Sequence, residues 1–297
     1  MRGVLIALIC AWMLSACTGL IFHPQRELQT TPAALGLEYR DVRITSAGGV
    51  RLHAWYLPAQ GKIHGSILFL HGNAENISTH IANVRWLPAA GFNVLTLDYR
   101  GYGRSEGIPT MEGVHLDADA ALKRLLDLAN SGEAPIVVFG QSLGGAVAIS
   151  MLRRSAYACA VEALIVEGAP SGYRAIAREK LAAAWLTWPL QVPLPWTIND
   201  DFRPVDDIAR LNNMRKLIIG GTGDKIVPID HALALFAAAA RPKILWEVQD
   251  LPHTATFMLP KYRKALVAWL AESTTEHSRH LERVDKRWYE DAAACAH

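Results

Sequence analysis

The chain lacks any apolar run long enough to cross a bilayer. Its longest, Val4 to Leu14, covers 11 residues, where a spanning helix needs about 20. It lacks an excess of one charge, with 30 basic and 28 acidic residues, and no segment gathers Lys and Arg between aromatics as a nucleic-acid groove requires. A nucleic-acid partner is therefore not expected. Cysteine is scarce, with four in 297 residues, and the spacing matches no disulfide framework. The 11 histidines are scattered without the paired spacing of a zinc helix or finger, so neither a metal nor another cofactor is expected. Half the residues are apolar, which is enough to bury one large core and favours a single catalytic-size domain.

The two ends look different from the middle. Arg2 followed by the apolar run has the order of a secretory leader, which belongs outside the folding argument. A conventional cleavage site needs small residues at the last and third-last positions, and Leu14-Ser15-Ala16-Cys17 puts a bulky Leu there. The string resembles a bacterial lipobox instead. That resemblance implies residues 1–16 as signal peptide, Cys17 as a lipidated N-terminus and membrane anchor, and 17–35 as a tether. The bland alternative is a leader in which Cys17 is incidental. Thr18 after the cysteine, rather than Asp, leans towards the outer membrane with the domain facing the periplasm. Cys10 would leave with the leader, which leaves Cys159 and Cys295. Cys159, just before an apolar strand, is expected as a buried thiol. Residues 273–297 form a mixed-charge tail with Leu281, Val284 and Trp288 at helical spacing, expected as a short surface helix or, less simply, a partner-binding segment.

From residue 36 to 272, strand-like runs alternate with helical ones, the pattern of an α/β domain with a mostly parallel sheet covered on both faces. Glu38 to Thr45 and Arg51 to Leu57 flank Ser46-Ala47-Gly48-Gly49 and read as an antiparallel N-terminal hairpin. Six more strands are expected, at Ser66–Leu70, Asn93–Leu97, Pro135–Gly140, Ala163–Glu167, Lys216–Gly220 and Lys243–Val248, eight in all. Helices are expected at Thr110–Ala129, Leu143–Arg154, Asp230–Ala240 and Pro260–Glu272.

The strongest motif is Gly140-Gln141-Ser142-Leu143-Gly144, between the apolar strand Ile136-Val137-Val138-Phe139 and a helical run. A Ser on such a strained turn points its oxygen out of the sheet, and the glycines remove side chains that would clash. Ser142 is the candidate nucleophile. The N–H of Leu143, at a helix start, is a candidate donor to a developing oxyanion.

Several further strings accompany the elbow: His71-Gly72-Asn73-Ala74-Glu75-Asn76, Asp98-Tyr99-Arg100-Gly101-Tyr102-Gly103-Arg104-Ser105, and Gly223-Asp224 followed by Val227-Pro228. Together they make residues 36 to 270 resemble the α/β-hydrolase superfamily, in particular its serine-aminopeptidase-like branch of esterases, monoacylglycerol lipases and protein depalmitoylases. The resemblance implies an eight-stranded sheet with a small cap insertion, about 171–204, over the active site. It implies the amide of Asn73 as second oxyanion donor, and it makes Asp98–Ser105 a structural loop. The chain order of the fold puts the catalytic His after the last strand, where His253 stands alone before the final helix. Asp224 then fits the orienting acid, with Glu167 at the end of the preceding strand as its rival. His71, before its turn, is expected to be structural. One departure is Pro252-His253-Thr254-Ala255, where relatives carry Gly before the His, so a stiffer loop is expected.

The implied activity is hydrolysis of a carboxylic ester or thioester through an acyl-enzyme, on a small acyl-ester or lipid-like substrate. A serine peptidase and a non-catalytic, lipid-anchored binding protein on the same fold remain as alternatives, since fold alone does not establish activity. Trp185, Trp188 and Trp196 in the insertion either line an acyl pocket or pack on the core. Oligomeric state is open.

Overall fold

The computed structural model describes residues 22–129, 134–182, 187–198 and 201–281. The expected leader, Cys17, Trp185 and most of the expected tail lie outside these residues. In chain order the first strands are β1 (His23–Pro24), β2 (Arg40–Thr45), β3 (Arg51–Leu57), β4 (Gly65–Leu70) and β5 (Ala74–Glu75). After the single turn α1 (Ile77–His80) come β6 (Phe92–Leu97), α2 (Met111–Leu128), β7 (Ile136–Gln141), α3 (Leu143–Leu152) and β8 (Val161–Glu167). The remainder is α4 (Tyr173–Ala182), α5 (Pro204–Ile208), β9 (Arg215–Gly221), α6 (Ile229–Ala238), β10 (Lys243–Val248) and α7 (Pro260–Leu281).

Eight strands form one sheet in the order β10-β9-β8-β7-β4-β6-β3-β2. β2 is antiparallel to β3 and β3 to β6, while the others pair in parallel. The period of two along each strand divides the core between the faces. On β4, Leu68 and Leu70 meet Val114, Ala118 and Leu122 of α2 and the apolar face of α3. Ile67 and Phe69 face the other way, in the cluster that holds Leu266 and Trp269 of α7. α2 begins where Thr110 accepts a hydrogen bond from the Gly113 N–H at 3.0 Å, a side-chain cap for an otherwise unpaired amide. The parallel strands β4, β7, β8, β9 and β10 all deliver their C-terminal ends to one edge, where open α/β sheets place their ligands.

Three expectations change here. The segment read as a tether is, from Phe22 onward, part of the folded domain. Phe22 is buried in the core, β1 pairs in parallel with β5, and Gln25 O accepts from Gly103 N–H at 2.9 Å. The local reason is that Asn76 donates its side-chain amide to Gln25 O and Glu27 O at 3.1 and 2.7 Å. Cys159, read as a buried thiol, is exposed, because it falls in the single turn Ala158–Ala160 before β8 rather than in the strand, and it is disulfide-bonded. The other cysteines lie outside the described residues. The last helix does not stop near Glu272 but continues as one helix to Leu281.

Candidate active site

Ser142 sits between β7 and α3 with φ 54° and ψ −123°, a conformation that costs a non-glycine residue of order 1–3 kcal/mol. The surroundings hold it there. Its N–H donates to Glu167 O at 2.8 Å, and its own carbonyl accepts from Gly145 N–H at 3.0 Å as α3 begins. Gly140 and Gly144 are required by space: a Cβ on the first would run into the Gly144 backbone, and one on the second into the carbonyls of Leu70 and His71. Gly72 brings the loop after β4 alongside, with its Cβ position 3.4 Å from the Cβ of Ser142.

Asn73, next in that loop, is clamped through its oxygens. Its carbonyl accepts from the Tyr102 hydroxyl at 2.7 Å, and its side-chain oxygen accepts from Tyr102 and from the His23 N–H, each at 3.2 Å. The backbone N–H groups of Asn73 and Leu143 have no partner among the described residues. Both residues line one cavity with Ser142.

His253 Nδ1 lies 2.6 Å from Asp224 Oδ2. The other oxygen of Asp224 accepts the N–H groups of Ile226 and Val227 at 2.8 and 2.9 Å. Burial pushes the carboxyl up, but the hydrogen bond with His253 and those two amides outweigh it and hold Asp224 below the usual range. The glycine-rich turn before Asp224 exists for close approach: a Cβ on Gly221 would meet the carbonyl of Leu251 in the His253 loop. That loop is tightly folded, with Asp250 and Thr254 at φ 57° and 51° around Pro252-His253. His253 and Ser142 meet the same strand end. Ser142 bonds to Glu167 O, and the next residue, Gly168, has its Cβ position 3.2 Å from the His253 ring. No hydrogen bond joins Ser142 Oγ to His253 among the described residues, and such bonds commonly tighten only when substrate is bound.

Glu167, the rival acid, has both oxygens occupied elsewhere. Oε2 accepts from Gln141 Nε2 at 2.6 Å and Oε1 from Thr256 N–H at 2.9 Å. Burial raises its pKa against the pull of those donors. It thus fastens the residue before Ser142 to the loop after His253, and it makes no hydrogen bond to the imidazole. His71 is fully buried, and burial first, then the neighbouring His80, pushes its pKa well down despite the bond to Gly72 O. It packs against Tyr99 and Tyr102. In the Asp98–Ser105 loop, Asp98 is buried and accepts from Ile77 N–H at 3.0 Å, Ser105 donates to Asp98 O at 2.6 Å, and Arg100 pairs with Asp117 at 2.7 Å.

The profile of the family described as "Serine aminopeptidase, S33" matches residues 61–201. The α/β hydrolase domain-containing protein WAV2 of Arabidopsis thaliana is 36% identical over 220 residues, which are 71% of this chain and 70% of WAV2. The chain belongs to the α/β-hydrolase superfamily. Protein bem46 of Schizosaccharomyces pombe is 28% identical over 258 residues, 84% of this hydrolase and 82% of bem46. Among solved structures, the Pyrococcus furiosus esterase Pf2001 superposes with a TM-score of 0.65 at 23% identity, covering 85% of this chain and 97% of the esterase, a likeness of fold. This α/β-hydrolase is thus a hydrolase of the kind that esterases and peptidases share.

The cavity above Ser142 measures about 370 Å³. Its walls are mainly apolar: Tyr173, Ile176 and Leu181 of α4, the 194–198 stretch, and Ile226 and Val227 after Asp224. The insertion therefore does cover the site, but among its described residues not with Trp188 or Trp196. Trp188 and Trp196 are 59% and 65% exposed and do not line this cavity. Sequence reasoning missed what attaches α4 to the rest of this hydrolase. Buried His231, at the start of α6, takes the Ser171 N–H and hydroxyl on Nδ1 at 3.1 and 2.8 Å, and its Nε2 lies 3.1 Å from Glu179 of α4. A His one residue into an apolar helix was the available signal, and nothing in sequence spacing links it to Ser171.

Proposed function

We propose that this hydrolase is a serine carboxylic-ester hydrolase, anchored through acylated Cys17 at the outer membrane and facing the periplasm. The observation that carries the reading is the His253–Asp224 bond, set behind a strained Ser142 at the floor of an apolar cavity. His253 Nε2 takes the proton of Ser142 Oγ as the oxygen attacks the ester carbonyl carbon. The amides of Asn73 and Leu143 receive the oxyanion, a pair in which loss of one donor costs about 10²–10³ in rate. Collapse expels the alcohol, protonated by His253. Water, deprotonated by the same imidazole, then attacks the acyl-enzyme and frees the acid. Asp224 keeps the imidazole in the right tautomer and offsets its charge.

An ester or thioester is favoured over an aminopeptidase substrate because no Asp or Glu lines the cavity among the described residues, so nothing there would receive a free α-amine. The test is fluorophosphonate labelling of wild type beside Ser142→Ala, followed by p-nitrophenyl esters of increasing chain length. Labelling of wild type alone and ester turnover support the proposal. A folded wild type that takes no label sinks it. For the anchor, palmitate incorporation should be lost in Cys17→Ser.

A further inference from the structure

The N-terminal strand and the cap meet at one place. His23 of β1 lines the same cavity as Leu194, Pro195 and Ile198 of the insertion, and as Ile226, which is 52% exposed. The chain is seated at Phe22, five residues after Cys17. Five residues reach at most about 18 Å fully extended. If Cys17 carries the acyl chains proposed above, the cavity cannot stand off from the bilayer on a long leash. It stays within roughly 20 Å of the surface that holds the anchor.

What the cap exposes suits such a surface. Trp188, Leu190, Val192 and Trp196 are exposed to 59, 46, 56 and 65% within nine residues of chain. Single exposed apolar residues are ordinary, but four large ones in so short a stretch, two of them indoles, resemble the aromatic belts at membrane interfaces. Cations lie beside them. Exposed Arg178 and Lys180 stand on α4, with Lys180 at the cavity wall donating to the carbonyl of exposed Lys225, while the neighbouring acid Glu179 is engaged by His231. Basic groups next to interfacial tryptophans are complementary to anionic phospholipid.

We infer that the cap docks on an anionic phospholipid bilayer through Trp188, Leu190, Val192 and Trp196, with the mouth of the Ser142 cavity turned to the lipid. The hydrolase would then take its acyl substrate from the bilayer rather than from solution. This part rests on the esterase reading, whereas docking itself does not.

The test uses the mature full chain reconstituted in vesicles of phosphatidylcholine and phosphatidylglycerol, with bromine on some of the phosphatidylcholine acyl chains. Brominated lipid should quench wild-type tryptophan fluorescence, and the quenching should be largely lost in Trp188→Ser/Trp196→Ser. Turnover of a vesicle-embedded monoacylglycerol should fall at least about tenfold in that variant, with p-nitrophenyl acetate turnover within about twofold and Tm unchanged. Equal quenching in the two proteins overturns the docking, as does cross-linking between copies that shields both tryptophans from the bromine. Quenching without turnover of either ester keeps the docking and overturns the esterase reading. Mass spectrometry of the N-terminal peptide reads the anchor separately, and an unmodified Cys17 overturns the short-leash geometry.

Discussion

Replacing Glu167 by Gln separates a fastener from a catalytic acid. Glu167 accepts from Gln141 Nε2 at 2.6 Å and from Thr256 N–H at 2.9 Å, and Gln141 cannot turn its amide over, because its own oxygen accepts from Asn83 Nδ2 at 2.8 Å. A Gln at 167 keeps one acceptor and sets an NH₂ against a donor. One charge-assisted bond is lost, about 1.5–3 kcal/mol, partly offset because a buried carboxylate no longer has to be desolvated. The net expectation is a loss of about 1–3 kcal/mol in stability by urea melts. The effect on kcat/KM for p-nitrophenyl butyrate should stay under about thirtyfold, since the imidazole keeps its partner Asp224. Asp224→Asn should behave in the opposite way, with little change in stability and a fall of about 10⁴ in kcat from the wrong imidazole tautomer. If Glu167→Gln lost as much activity as Asp224→Asn, or more, the assignment of the acid would be refuted.

Gly144→Ala should destabilise the fold by at least about 2–3 kcal/mol and abolish ester turnover, because a Cβ there has only the carbonyls of Leu70 and His71 to meet; chemical denaturation measures it. Ile176→Trp, which fills the cavity wall, should lower the p-nitrophenyl octanoate to acetate ratio of kcat/KM by at least about tenfold, with equal losses on both esters counting against an acyl pocket. His115 is buried against Phe202 with a ring separation of 3.8 Å, and burial first of all lowers its pKa from 6.5 to about 4. The unfolded chain therefore binds the extra proton between those values. Stability from this group is fully present above pH 6.5 and lost as pH falls through about 4, of order 3 kcal/mol. His115→Gln should flatten the stability profile in that window, and an unchanged slope would refute the linkage.

The sheet was readable because its signals are local. Each of the eight strands is an apolar or, in β2, an alternating run bounded by turns, and the observed limits differ from the expected ones by at most two residues. Ser142 was readable for the same reason, since a strained turn between strand and helix leaves its glycines in the sequence. Asp224 against Glu167 was not decidable that way: both follow apolar strands, and only the partners of their oxygens distinguish them. Trp188 and Trp196 misled because aromatic content says what a segment contains and not which side it turns to the core. The tether misled because residues 22–27 are held by Asn76, Gly103 and Ser105, far away in sequence, which no local pattern reveals.

Those contacts make the start of the domain a lever. The His23 N–H holds the side chain of Asn73, whose amide is a proposed oxyanion donor, so a pull on the upstream chain passes from buried Phe22 straight into the β1–β5 pairing. Force along the proposed anchor would arrive at the loop of Asn73 one hydrogen bond later. A chain shortened past Gln25 would keep all three triad candidates and the Tyr102 clamp on Asn73 but lose the second brace from His23, and with it part of the rate.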